Sequence, residues 1–264
     1  MTFLQSIILA IIEGLTEFLP VSSTGHMILA QSLMEMQNTE FAKTFEIVIQ
    51  LGAILAVLIL YIKRFFIGIN IYIKLFIAFL PTGVIGLLAY KIIKHYLFNP
   101  ITVSVSLILG GVILILLDKW SERKSNFWQV EDISYAGAFK IGLFQCISMV
   151  PGVSRAAATI FGGIFSGFNR KQAAEFSFLL AIPTMFAASG KDLWESKDMI
   201  NSENIKLLLT GMAVAFVVAI FAVKAFVAFL TRYGFKHFGW YRIILGIVFL
   251  TYTLYEGTEL MFKI

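Results

Sequence analysis

Cysteine is almost missing: Cys146 is the only one in 264 residues. That excludes an internal disulfide and any cysteine-rich metal site. Charge is scarce as well, at 14% of residues, where a soluble domain carries about 25%. The strict alternation of apolar and polar residues that barrel strands need is also lacking; the apolar runs are long and continuous. No basic residue precedes Lys43, so no cleavable signal peptide is expected. What is abundant is oil: 59% hydrophobic residues and a mean hydropathy of +0.86. These values imply an all-α integral membrane protein. The net charge of +5 comes from loop lysines and arginines, which fits orientation in a bilayer better than nucleic-acid binding.

Against that background one stretch stands out, Glu13-Gly-Leu-Thr-Glu17-Phe-Leu-Pro20-Val-Ser22-Ser23-Thr24-Gly25-His26. Apolar residues flank it on both sides, so its ionisable groups lie at membrane depth, where each costs a few kcal/mol and marks a functional site. On a helix Glu13 and Glu17 share a face, about 6 Å apart. Two such anions need a cation between them, or one must keep its proton. Pro20 disfavours helix at Leu19. Ser22, Ser23 and Thr24 then fall in a loop or the first turn of a new helix, where hydroxyls and free N–H groups suit an anion. Gly25 permits a positive φ or a close ligand approach. A second polar island, Pro151-Gly-Val-Ser154-Arg155, carries a guanidinium that calls for a phosphate or carboxylate partner.

Read in order, residues 2–33 have two apolar arms too short to span a bilayer, which predicts a re-entrant hairpin broken near Pro20. Spans follow at 45–62, 71–93 (kinked or broken near Pro81) and 101–117. The polar connection 119–132 separates two halves, 1–132 and 133–264, within one integral membrane domain. The second half repeats the plan, with a hairpin at 135–168 and spans at 172–190, 207–230 and 238–255. A shift of 131 places Pro20 on Pro151 and Ser23 on Ser154. One hairpin and three crossings per half make the second half upside down. The expectation is therefore an inverted-topology repeat of six transmembrane helices and two re-entrant hairpins, whose tips meet near the midplane. Twelve basic residues, Arg242 among them, fall on one face and seven on the other; the richer face is expected to be cytoplasmic.

Carboxylates at i and i+4 suit a hard divalent cation, with water and substrate oxygens completing its shell. With Arg155, such a cation offsets charge on a phosphoryl group in transfer. Ser23 is placed to attack phosphorus, with Glu17 or His26 as base.

The fourteen-residue stretch and Pro151-Gly-Val-Ser-Arg155 closely resemble the bacterial undecaprenyl-pyrophosphate phosphatases of the bacitracin-resistance type. Flanking runs such as Phe45-Glu-Ile-Val-Ile-Gln-Leu-Gly52 extend the likeness along the whole chain. The resemblance implies removal of the terminal phosphate of undecaprenyl pyrophosphate, which recycles the cell-wall lipid carrier. It also implies a divalent cation, Mg²⁺ or Ca²⁺, held by Glu13 and Glu17, and a bacterial plasma-membrane location with the active site open to the periplasmic side. By the same resemblance Ser23 and His26 match the catalytic hydroxyl and imidazole, with Ser23 favoured as nucleophile and Glu17 as its base. Arg155 matches the phosphate-binding arginine, and Ser22, Thr24, Gly25 and Ser154 match substrate-binding positions of the motifs. Where the family usually continues Ser-Arg-Ser-Gly, this chain has Ser154-Arg155-Ala156-Ala157. The implied partners are the polyprenyl pyrophosphate lipid and the bilayer, with no nucleic acid. The oligomeric state stays open, a homodimer among the options.

Plainer readings weigh against parts of this. Ser22, Ser23 and Thr24 taken alone are helix caps, and Arg155 alone is a guanidinium paired with a glutamate. A lipid flippase or transporter on the same inverted repeat is the rival function. Its anionic ligand, however, would be repelled by the two acids unless a coupling cation sat between them.

Overall fold

The computed structural model describes residues 1–37, 39–66, 68–97, 99–121, 129–197, 200 and 204–256. Every regular element among them is helical. In chain order these are α1 (Phe3–Thr16), α2 (Ser23–Leu33), α3 (Glu40–Leu60), α4 (Ile69–Leu97), α5 (Pro100–Trp120), α6 (Tyr135–Ile147), α7 (Arg155–Phe165), α8 (Arg170–Glu195), α9 (Ile205–Tyr233) and α10 (Lys236–Glu256). Two single 3₁₀ turns lie at Ile62–Phe66 and Val130–Asp132. Of the polar connection predicted over 119–132, residues 122–128 lie outside the described residues.

The starts follow from local chemistry. Thr2, Ser22, Thr39, Asn99, Ser134, Ser154 and Asn169 each cap a helix by accepting a backbone N–H with their side chains. Pro100 opens α5, where its missing N–H is not needed. Pro81 and Pro183 lie inside α4 and α8. Of the kink or break expected near Pro81, the break does not occur, and α4 runs through the proline. Gln145 of α6 donates to the hydroxyls beside both prolines, Thr82 at 2.9 Å and Thr184 at 3.2 Å, tying the three helices together.

Among the described residues six helices are long and apolar enough to cross a membrane: Glu40–Leu60, Ile69–Ala89, Pro100–Lys119, Arg170–Glu195, Ile205–Tyr233 and Lys236–Tyr255. Large apolar side chains such as Leu87, Leu88, Leu116, Phe221 and Val248 point outward. On a water-soluble protein so much exposed apolar surface would be an association liability; in a bilayer it is the solvated face. The chain is a multi-pass membrane protein. Because lipid is as apolar as leucine, the helices associate through close packing of small residues. Helix α6 comes so close to α4 that a Cβ on Gly142 would lie 2.2 Å from the Ala78 carbonyl oxygen, and α5 meets α10 in the same way, a Cβ on Gly111 lying 2.6 Å from the Gly239 carbonyl oxygen.

The two short pairs, α1–α2 and α6–α7, each double back on themselves. Helix α1 packs along α9, and α6 along α4. Their turns, Glu17–Val21 and Ser148–Val153, meet inside the bundle, with Phe18 fully buried and edge-on to Phe178 of α8. That meeting point positions the site.

Candidate active site

Helix α1 ends at Thr16, whose hydroxyl folds back onto the Ile12 carbonyl at 2.7 Å. Glu17 is the C-cap, and a tight turn follows in which the Val21 N–H donates to the Leu19 carbonyl at 2.8 Å. Pro20 lies within that turn, so the helix stops four residues earlier than the proline itself. Ser22 then caps α2 with φ at +71°. A non-glycine residue in that region is uncommon and carries a cost of about 1–3 kcal/mol. Gly25, which permits a positive φ or a close ligand approach, is helical, and a Cβ there would meet Leu107 and Val103 of α5 at 3.5 Å, an ordinary contact.

The second turn is built in the same way. Ser154 caps α7 with φ at +76°, accepting from the Ala157 N–H at 3.2 Å. The two strained serine caps are 132 residues apart, so Ser22, and not Ser23, stands where Ser154 stands. The extra residue is Gly152, at φ +90°. A Cβ there would lie 2.6 Å from the Val103 carbonyl oxygen. Glycine is required on both counts.

Doubling the chain back between α1 and α2 sets Glu17 opposite Ser23. The Ser23 hydroxyl donates to Glu17 Oε2 at 2.5 Å. Arg155, the first residue of α7, brings Nη2 to 3.6 Å from Glu17 Oε1, an ion-pair distance too long for a hydrogen bond. Its Nη1 donates to the Ser177 carbonyl at 3.0 Å, and its guanidinium carbon stands 5.6 Å from the Phe18 ring centre. Glu13 lies beside Glu17, with Glu46 and Arg155 next in its surroundings. Glu13 Oε1, Arg155 Nε and Arg155 Nη2 are buried and have no hydrogen-bond partner among the described residues. Buried unpaired donors and acceptors side by side mark a polar site rather than a packed core.

His26 projects from the first turn of α2. Its Nδ1 lies 2.8 Å from the Ser22 carbonyl, which can only accept, so Nδ1 carries the proton. Its Nε2 lies 2.6 Å from the Tyr241 hydroxyl of α10, with the two rings stacked at 9°. In the neutral imidazole Nε2 therefore accepts from the phenol.

The structure thus brings Glu13, Glu17, Ser23 and Arg155 together and sets His26 one turn along α2. Ser22 and Ser154 shape the two turns, and the Ser154 hydroxyl reaches across to the Leu19 carbonyl at 3.5 Å. Thr24 is exposed. Tyr241 and Arg242 were missed by sequence reasoning. Arg242 was assigned to the loop charges of one face, yet it is fully buried and donates to backbone carbonyls of both turns. Its position inside the predicted span 238–255 was the available signal.

The carboxylates of Glu13 and Glu17 are hard oxygen donors, the kind that hold Mg²⁺ or Ca²⁺. No group of three or more His, Cys, Asp or Glu forms a metal-binding cluster among the described residues. A cation held here would draw its remaining ligands from water and a bound phosphate.

Comparison with known proteins bears on the same residues. The family model described as Bacitracin resistance protein BacA matches residues 6–248. An undecaprenyl-diphosphatase of Wolinella succinogenes is 53% identical over 255 residues, covering 96% of this chain and 98% of the relative. One from Bdellovibrio bacteriovorus is 51% identical over 261 residues, 98% of this chain and 99% of the relative. The Aquifex aeolicus undecaprenyl-diphosphatase is 48% identical over 256 residues, 97% of this chain and all of the relative. Matched from the first hairpin into the last span, this chain belongs to the Bacitracin resistance protein BacA family.

Proposed function

We propose that this chain is an undecaprenyl-diphosphatase, which cleaves undecaprenyl pyrophosphate to undecaprenyl phosphate and inorganic phosphate and so returns the lipid carrier to cell-wall synthesis. Identity near one half over almost full length to undecaprenyl-diphosphatases supports the substrate. The observation that carries the chemistry is the Glu17 carboxylate, which accepts from the Ser23 hydroxyl at 2.5 Å and faces Arg155 at 3.6 Å.

In this reading Glu17 takes the proton as Ser23 Oγ bonds to the terminal phosphorus. The bond from that phosphorus to the bridging oxygen breaks, and its electron pair leaves on undecaprenyl phosphate. Water then attacks the phosphoserine, regenerating the hydroxyl and releasing inorganic phosphate. Arg155 Nε and Nη2 donate to the phosphoryl oxygens as charge builds on them, in a site whose buried position strengthens the contact. His26, oriented by Ser22 and Tyr241, lies one turn away as a proton carrier. Glu13 and Glu17 would hold the divalent cation, whose chemistry is to neutralise phosphate charge. Ala156 and Ala157, buried behind Arg155, offer no phosphate-facing hydroxyl.

The architecture we propose is the inverted repeat, with halves 1–132 and 133–264. It is supported by the paired caps Ser22 and Ser154, and by reciprocal packing of α1 on α9 and α6 on α4. Gln145 stands 132 residues beyond Glu13 on its own hairpin, buried and neutral where Glu13 is buried and acidic. One hairpin thus supplies acids and the other the cation. By the charge rule the first hairpin opens outward from the bacterial plasma membrane. Nothing in a carrier calls for a hydroxyl held by a carboxylate, so the flippase reading falls behind.

The test is phosphate release from undecaprenyl pyrophosphate by purified protein in detergent with Mg²⁺ or Ca²⁺. Release that is abolished by Ser23→Ala is expected. A wild-type protein that binds the lipid and releases no phosphate would overturn the reading.

A further inference from the structure

The residue that sets the two halves of the site against each other comes from neither hairpin. Arg242, six residues into α10, is fully buried. Its guanidinium faces no carboxylate among the described residues, and all of its hydrogen bonds go to backbone carbonyls. Nη1 donates to Pro20 at 3.0 Å and to Val153 at 2.9 Å. Nη2 donates to Gly152 at 2.8 Å and to Ser106 at 3.1 Å, and Nε reaches Leu107 at 3.4 Å. One side chain therefore joins the first turn, the second turn and α5.

The joined carbonyls are not arbitrary ones. Pro20 lies two residues before the strained cap Ser22, and Val153 directly precedes the strained cap Ser154. Ser23 and Arg155 are the residues immediately after those caps. A shift of the Val153 carbonyl is passed through the strained Ser154 alone to the phosphate-facing guanidinium, and a shift of the Pro20 carbonyl through Val21 and the strained Ser22 to the attacking hydroxyl. The other direct links between the tips among the described residues are weak: Ser154 touches Leu19 at the outer limit of a hydrogen bond, and Arg155 faces Glu17 at 3.6 Å and stands 5.6 Å from the Phe18 ring centre.

The site for this clamp is cleared in advance. Gly110 of α5 lies against the guanidinium, where a Cβ would come within 2.2 Å of Nη2 and 2.7 Å of Cζ. The backbone there is ordinary helix, so glycine is needed for space and not for its freedom.

We infer that Arg242 is a positioning residue for the reaction: a buried guanidinium that holds the tips of the two hairpins in one register, so that Ser23 and Glu17 from one and Arg155 from the other act on the same phosphate. This rests on the phosphatase reading above. A carbonyl-only environment fits the role, because the five donors of the guanidinium fork meet all five carbonyls, whereas an ammonium has three donors on one atom. A misplacement of about 1 Å suffices to lose roughly 100-fold in rate without loss of binding.

Two variants test it from opposite sides. Arg242→Lys keeps the charge and loses the fork; Gly110→Ala keeps Arg242 and displaces it. Each is purified, checked for folding by size-exclusion profile and melting midpoint, and assayed per folded molecule on undecaprenyl pyrophosphate. The expected result is a fall in kcat of at least about 30-fold with KM within about threefold, the split that lost positioning produces. Hydrogen exchange in the same proteins should speed at 17–22 and 148–154 together, with α3 and α8 unchanged. Full kcat per folded molecule would overturn the inference, as would a rise in KM alone, which would make Arg242 a substrate contact. Faster exchange at one tip only, or throughout the protein, would also overturn it. Activity of the wild type in the same assay separates failure of this inference from failure of the phosphatase reading.

Discussion

Glu17→Gln is the most informative single change, because one carboxylate serves two partners. The amide keeps the shape and can still accept from Ser23, but it cannot take the hydroxyl proton. It also leaves Arg155, only 11% exposed at its side chain, without its nearest anion. Loss of a positioned base costs about 10²–10⁴ in rate. The structural penalty is smaller. Breaking a buried ion pair costs about 3–5 kcal/mol, but this pair stands at 3.6 Å, and Arg155 keeps its bond to the Ser177 carbonyl. A loss of about 1–3 kcal/mol, the cost of an unsatisfied buried group, is the better figure. The assay is phosphate release per folded molecule across substrate concentrations, beside the unfolding midpoint of the same preparation. The reasoning requires kcat to fall by at least about 100-fold while most of the protein stays folded. A variant that is well folded and retains more than a fifth of wild-type kcat would refute Glu17 as the base.

Three further outcomes follow from the geometry. Chelation of divalent cations should abolish phosphate release, and Mg²⁺ or Ca²⁺ should restore it; the purified protein with and without chelator checks this. At Ser22, glycine should stabilise and alanine destabilise, each by about 1 kcal/mol, because glycine relieves the φ of +71° at a capping cost of only a few tenths, whereas alanine loses the cap and keeps the strain. Unfolding midpoints of the two variants give the sign. Tyr241→Phe should lower kcat by about tenfold, within the range of a mispositioned acid–base group, and change its pH profile, since His26 Nε2 loses its 2.6 Å partner.

Much of the molecule was legible beforehand because the bilayer simplifies the problem. Continuous apolar runs had to be helices, and arms as short as those around Pro20 and Pro151 had to turn back. Carboxylates four apart on an apolar helix marked the place where the structure brings Glu17, Ser23 and Arg155 together. The misses share a different cause: each depends on which distant segment lies opposite. Gly25 was the natural candidate for a strained backbone, yet Gly25 packs on α5 and the strain falls on Ser22, where the turn has to close. Arg242 looked like a loop charge near the start of its helix, because nothing local reveals that Gly110 opens a space for it between two turns. Tyr241 is one more aromatic among many until α10 is laid beside α2. A register taken from Pro20 and Pro151 pairs Ser23 with Ser154, whereas the two strained caps pair Ser22 with Ser154, Gly152 making up the difference.

The account stands on the two hairpin tips forming one catalytic unit, and a double-mutant cycle in kcat/KM between Glu17→Gln and Arg155→Lys measures that directly. Groups that act on one phosphate should couple by at least about 1 kcal/mol, so that the double variant is about fivefold or more less impaired than the product of the singles. Effects that multiply to within about twofold, as they do for independent sites, would contradict it.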